Sequence, residues 1–366
     1  MYLSRWGKRL LIPLIVMLAA FLPHPALSLA APGLFDVLVN SSMNKNKPGL
    51  FFVDARTGLS SIVITNGTQH TLLEKGVLFQ ELGTGAVKIA YADGTIVPFD
   101  AIPAPGENTR VQWVISPNRH WLLWVSSRTD NTTLSSDLYI TALDNPTPRL
   151  ILHASSTKGI ETLPLAVADD GQTAYYTRLA LAPKAYRLFT VAGDVFSLDV
   201  PSGKTTQLPA DSPCACAVMP SADRRLFARL ETNAAQGGFD LRLYDLSGST
   251  NALFKSPGAA APQTQAGNLL ISPDGAYIAY VSARGTPLTR FSPPEQYAVT
   301  LVDVKRKVQR TLDTGLQVNL QPMSFSDDNT LLIAVGTDKD GTFKISLKDG
   351  TILQSSAYTY LGTVSG

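Results

Sequence analysis

The sequence predicts an all-β chain folded as a seven-bladed β-propeller behind an N-terminal signal segment. Three observations carry that expectation. A turn of a small residue, Pro, Asp or Ala, then Asp or Asn recurs five times, its third residue at positions 118, 170, 223, 274 and 328, giving spacings of 52, 53, 51 and 54 residues. Seven apolar hairpins run along the chain, and each of the last five follows one of those turns. Helix-period patterning is nearly absent after residue 30, and only 16% of the 366 residues are charged, below the roughly 25% of an ordinary soluble domain. A repeat of about 50 residues that supplies four strands is the mark of a propeller blade. The 27 Gly and 24 Pro suit a turn-rich fold, and two Cys cannot staple a chain of this length.

The first element is an address. Arg5, Lys8 and Arg9 form a positive n-region, Leu10 to Leu22 is apolar but for Pro13, and Ser28-Leu29-Ala30 places small residues at both specificity positions of a signal-peptidase site. This stretch of 13 residues falls short of the ~20 that span a bilayer as a helix. Residues 1–30 are therefore expected to be cleaved and the protein exported to periplasm, medium or cell surface, with an uncleaved anchor as the alternative. Without residues 1–30 the count is 28 Lys+Arg against 29 Asp+Glu, or net −1. Charge then gives no argument for nucleic acid or anionic membrane as a partner.

Residues 31–366 are expected to form one propeller domain. Its hairpins read in order as Leu50–Asp54 into Ser61–Ile64, Val87–Tyr91 into Thr95–Val97, Leu138–Ile140 into Leu150–Leu152, Val195–Asp199 turning at Ser202-Gly203, Leu243–Asp245 turning at Ser247-Gly248, Val299–Asp303 turning through Lys305-Arg306, and Phe343–Ser346 into Thr351–Leu353. Asp93-Gly94 and Asp349-Gly350 predict type I′ turns. The recurring turns are Ser116-Pro117-Asn118, Ala168-Asp169-Asp170, Ser221-Ala222-Asp223, Ser272-Pro273-Asp274 and Ser326-Asp327-Asp328. Pro presets φ at the second position of a type I turn. At the N-terminus, Phe35–Val39 matches a second strand whose inner neighbour is missing, and Tyr360–Val364 is expected to supply that neighbour and close the ring. Closure removes open sheet edges. Six or eight blades remain open, because residues 66–105 show no Ser-Pro-Asp-Gly turn.

Ser272-Pro273-Asp274-Gly275 followed by Tyr277-Ile278-Ala279-Tyr280, with Leu301-Val302-Asp303 ending a third strand, resembles the repeat of TolB-type, WD-like propellers. The resemblance covers residues 111–350 well and 34–105 weakly. It implies a fold and brings no catalytic residues with it. The Gly-His…Trp-Asp signature of true WD repeats is absent.

Candidate chemistry is sparse. His70, His120 and His153 fall in separate hairpin units without acidic or Cys partners at ligand spacing, so no metal or cofactor is expected. Cys214 and Cys216 read as two small apolar residues near the central channel; the alternative is a strained local disulfide in oxidising surroundings. Asp338-Lys339-Asp340-Gly341 lacks the later ligands of a calcium loop and reads as a hairpin turn. Lys305-Arg306-Lys307 reads as a solvated turn. Nucleophile elbows, zinc-protease motifs and phosphate loops are absent.

The stronger clue is loop length. Segments Ser127–Ser136, Ala180–Arg187 and Arg284–Gln296 read as long loops joining second to third strands, on the rim that also carries the inter-blade connections. Long loops on a rigid scaffold concentrate binding residues, and Arg and aromatic side chains are common anchors. Arg128, Lys184, Tyr186, Arg284, Arg290 and Tyr297 are the candidates. The expectation is a monomeric, non-catalytic propeller binding a protein or extracellular polymer at that rim. The alternative is a lactonase-like or polysaccharide-acting enzyme with carboxylates such as Glu161 and Asp211 at the channel.

Overall fold

The computed structural model describes residues 33–40, 49–180, 189, 193–208, 215–221, 225–233, 235–246, 251–257, 263–284, 296–336 and 341–366. Among these, 28 strands form seven four-stranded antiparallel sheets, and no helix occurs. Blade 1 holds β1 (Leu34–Asn40), β2 (Gly49–Asp54) and β3 (Ser60–Ile64). Blade 2 is β4 (Gly67–Leu72), β5 (Val77–Glu81), β6 (Val87–Ala90) and β7 (Ile96–Pro98). Blade 3 is β8 (Thr109–Ile115), β9 (Trp121–Asp130), β10 (Thr133–Ala142) and β11 (Arg149–Ser156). Blade 4 is β12 (Ile160–Val167), β13 (Thr173–Ala180), β14 (Asp194–Asp199) and β15 (Thr205–Gln207). Blade 5 is β16 (Ala215–Pro220), β17 (Leu226–Asn233), β18 (Gly238–Asp245) and β19 (Asn251–Phe254). Blade 6 is β20 (Gln265–Ile271), β21 (Tyr277–Arg284), β22 (Gln296–Asp303) and β23 (Val308–Leu312). Blade 7 is β24 (Leu320–Phe325), β25 (Leu331–Gly336), β26 (Thr342–Ser346) and β27 (Ile352–Ser356). The last strand, β28 (Thr359–Ser365), returns to blade 1 and pairs antiparallel with β1 as its innermost strand.

The predicted seven blades and their closure by the C-terminal tail are therefore observed, while the signal segment, residues 1–30, lies outside the described residues. Each recurring turn joins the first and second strands of its blade, and its side chains explain the repeat. Ser272 Oγ donates to Asp274 Oδ1 at 2.6 Å and accepts the Tyr277 N–H at 2.9 Å. Ser116 with Asn118, and Ser326 with Asp328, repeat the donation at 2.6 Å. In the four turns described in full, the fourth residue's N–H reaches the first residue's carbonyl, and that fourth residue is left-handed: Arg119, Gly171, Gly275 and Asn329. The turns also tie neighbouring blades. Asp169 Oδ1 accepts the Asn118 N–H at 2.9 Å, and Asn329 donates to Asp274 Oδ2 at 2.8 Å.

Apolar faces of adjacent sheets make the core. Leu78, Val87 and Ile89 of blade 2 pack with Val111, Trp113, Leu122 and Trp124 of blade 3. Leu230, Phe239 and Leu241 of blade 5 meet Ile278, Tyr280 and Val302 of blade 6. Burial of each such side chain contributes about 1.5–3 kcal/mol. This face-to-face packing accounts for the low charged fraction.

Two local expectations change. The Asp-Gly hairpins form, yet only Gly94 and Gly350 take positive φ, so neither turn is type I′. Tyr91 and Thr95 close a three-residue loop, and Ser346 closes on Gly350 and Thr351, with neither aspartate at positive φ. Segment Ser127–Ser136 is not a loop either. Its strands stay paired to Asp130 and Thr133, with Asn131-Thr132 as the tip, because polar Ser and Thr continue the ladder where their backbone finds partners.

Candidate functional site

The strands of each blade alternate in direction, so second-to-third and inter-blade connections share one rim. On that rim a cavity of about 370 Å³ opens between blades 5 and 6, lined by Gly238, Ser256, Gln263, Ser282, Tyr297, Thr300, Thr311 and Asp313 among others. Tyr280 forms its floor, and its phenol donates to Phe239 O at 3.2 Å or Gln309 Oε1 at 2.9 Å. Burial pushes that phenol far above its usual range, so it stays a neutral donor. Asp313 is the one charged residue among the described lining residues, and the rest of the polar wall is hydroxyl and amide. Gln263 anchors its backbone N–H on Gly237 O at 2.8 Å, while its side-chain Oε1 is buried with no hydrogen-bond partner. An unpaired buried acceptor costs about 1–3 kcal/mol. That oxygen can accept from an N–H or O–H donor in a wall otherwise able to give and accept.

Of the predicted rim residues, Arg284 and Tyr297 stand beside each other on one hairpin, where Ala283 faces Tyr297 and Arg284 faces Gln296. Tyr297 lines the cavity. Arg128 lies three blades away, exposed near the end of the blade-3 hairpin. Lys184, Tyr186 and Arg290 lie outside the described residues, as do Cys214 and Asp211. Cys216 falls in a register shift of β16 between Ala215 and Val218. Gln263 was not a sequence candidate: an isolated Gln in a connection carries no motif, and only the packed blades reveal its unpaired oxygen.

The channel presents a different chemistry. Glu161, the carboxylate expected for an enzyme, is buried and bonded to Arg110 of the neighbouring inner strand at 3.0 Å. That pair ties blade 3 to blade 4. His70 sits in the β4 register shift, stacks on Phe79 with centroids 6.0 Å apart and lies 3.2 Å from Thr65 Oγ1. Burial lowers its pKa to about 4. His153 pairs with Asp137 at 2.6 Å on an exposed outer strand, and His120 is an exposed turn residue. Among the described residues no three His, Cys, Asp or Glu side chains gather as a metal-binding group.

No family profile and no curated protein matches the chain. Solved structures do. A prolyl endopeptidase is similar over 92% of this chain and 50% of its own, at 13% identity and TM-score 0.61. An oligogalacturonate lyase in complex with manganese is similar over 79% of this chain and 82% of its own, at 13% identity and TM-score 0.56. TolB from Acinetobacter baumannii aligns over 76% of this chain, at 12% identity and TM-score 0.45, and the chain spans 62% of that protein's length. Likeness at such identities speaks to fold alone. The chain is a seven-bladed β-propeller with TolB proteins among its structural neighbours and a turn repeat that resembles theirs.

Proposed function

We propose that this protein is an exported, non-catalytic propeller that binds a protein or an extracellular polymer through the rim of second-to-third and inter-blade loops. The observation that supports it best is the cavity between blades 5 and 6, where Tyr297 meets a wall of hydroxyls and amides with the single carboxylate of Asp313 and the unpaired Gln263 oxygen. Such a wall suits donor-rich neutral groups, such as peptide amides or sugar hydroxyls, better than anions. Signal-like residues 1–30 support export. The rival reading, a propeller enzyme with a channel site, draws on the enzymes among the similar folds. Its described carboxylate, Glu161, is already committed to Arg110.

The test is affinity capture from the envelope and medium of the source by immobilised protein, followed by titration of the captured partner. Tyr297→Ala and Gln263→Leu should each weaken binding about tenfold, the order expected from losing one anchor or one buried hydrogen bond. Unchanged affinity in both variants refutes the rim assignment.

A further inference from the structure

At the opposite end of the channel, the inner strands form a second, unlike surface. One apolar side chain from each of the seven blades lies part-exposed there: Leu361, Leu72, Ile115, Leu165, Met219, Leu270 and Met323 in ring order. Three of them, Leu165, Met323 and Leu361, are the extra residues where β12, β24 and β28 shift register against their neighbours. A bulge re-aims the side chain it carries. Two cavities of about 320 and 310 Å³ occupy this mouth, sharing Ile115 and Pro117 as a common wall.

Arg119 borders the first of them. It holds the left-handed turn position, φ 58°, that Gly171 and Gly275 hold in blades 4 and 6, a conformation that is uncommon for a long side chain. From there its Nη1 donates to Leu73 O at 3.2 Å and to Thr363 O at 2.6 Å. Its Nη2 and Nε have no hydrogen-bond partner among the described residues. The carboxylate of the same network, Asp36, accepts from Thr363 Oγ1 at 3.1 Å instead. The result is a half-buried guanidinium, fixed by two carbonyls, with three donor hydrogens uncommitted beside an apolar ring.

We propose that this axial mouth binds the C-terminus of a polypeptide that ends in an apolar residue. The terminal side chain enters the ring, and the α-carboxylate takes the free Nη2 and Nε donors of Arg119 in a bidentate pair. The pairing of one cation with one apolar seat matches that ligand. Division of the mouth by Ile115 and Pro117 into two small cavities favours single side chains over a continuous long alkyl chain. Met219 and Met323 supply adaptable walls. This site is independent of the rim proposal and lies at the other end of the channel.

The experiment is fluorescence anisotropy of the protein with a fluorescein-labelled peptide ending in phenylalanine-leucine, as free acid and as C-terminal amide. The acid should bind at least tenfold more tightly than the amide. Arg119→Gln should erase that difference, a readout that a purely structural role would leave in place. Leu165→Asp and Met323→Glu, at part-exposed positions, should abolish binding with an unchanged melting temperature, while Lys305→Ala, on the exposed outer turn of blade 6, should bind as the parent does. Equal affinity for acid and amide, absence of saturable binding at millimolar peptide, or dodecanoate binding without peptide binding would each overturn the assignment.

Discussion

Acidification should weaken the fold through one side chain, His70. Its folded pKa is lowered to about 4 by burial, from an ordinary value of 6.5. The unfolded chain therefore binds a proton between these values that the folded chain refuses. Stability is full above pH 6.5 and falls as pH drops towards 4. Linkage gives losses of about 0.8 kcal/mol at pH 6, about 2 at pH 5 and about 3 at pH 4. Phe79 stacked on the ring and Thr65 beside it leave the imidazole no acidic partner in direct contact to offset charging. The assay is urea unfolding followed by tryptophan fluorescence, at half-unit steps from pH 7.5 to 4, for the parent and His70→Gln. The parent curve should steepen below pH 6.5 while the variant's stays nearly flat to pH 4.5. Equal pH slopes in the two proteins would refute the reasoning, whatever their absolute stabilities. Aspartates 54, 199, 274 and 328 do not confuse the comparison. Their pKa values are lowered, chiefly by turn hydrogen bonds to Thr57, Ser202, Ser272 and Ser326, so their contribution is lost only at lower pH and in both proteins alike.

Two further substitutions probe the repeat. Gly171→Ala should destabilise by about 2 kcal/mol or more in denaturant titration, because the turn needs φ 67° and a Cβ would stand 2.5 Å from the Trp121 ring; Gly275→Ala, whose nearest obstacle is Leu226 at 3.0 Å, should cost less. Ser272→Ala removes an acceptor for the Tyr277 N–H and a donor to Asp274, so a loss of about 1–2 kcal/mol is expected, with the acid-side contribution of Asp274 reduced in the same unfolding series.

The ring was legible because its chemistry recurs. Ser, Asp and Gly at fixed offsets make the same hydrogen bonds in blade after blade, so the period of the letters is the period of the sheets. Even the missing inner strand of blade 1 showed, since Phe35–Val39 had the pattern of a second strand and the tail a spare one. Turn type was harder: Asp-Gly serves several hairpin loops, and the partner that decides among them, Thr95 or Thr351, lies outside the dipeptide. Segment Ser127–Ser136 misled because its polar Ser and Thr carry no loop signal that differs from an outlying ladder. The sites were mostly illegible. Gln263 matters through what does not reach it, and Arg119 through carbonyls 46 and 244 residues away. Register shifts in the inner strands, which aim Leu165, Met323 and Leu361, leave no mark in composition at all.

The sharing of blade 1 between the two ends of the chain has a consequence for how the molecule comes into being. Asp36 and Thr363 bond across 327 residues, so the first blade stays a three-stranded fragment until the last segment arrives. A chain emerging from a ribosome or a translocation pore cannot finish its ring early, and every partial product exposes the β1 edge. Assembly is thus gated by the return of β28: removal of residues 359–365 takes away the clasp for the whole circle and leaves β1 as an open edge.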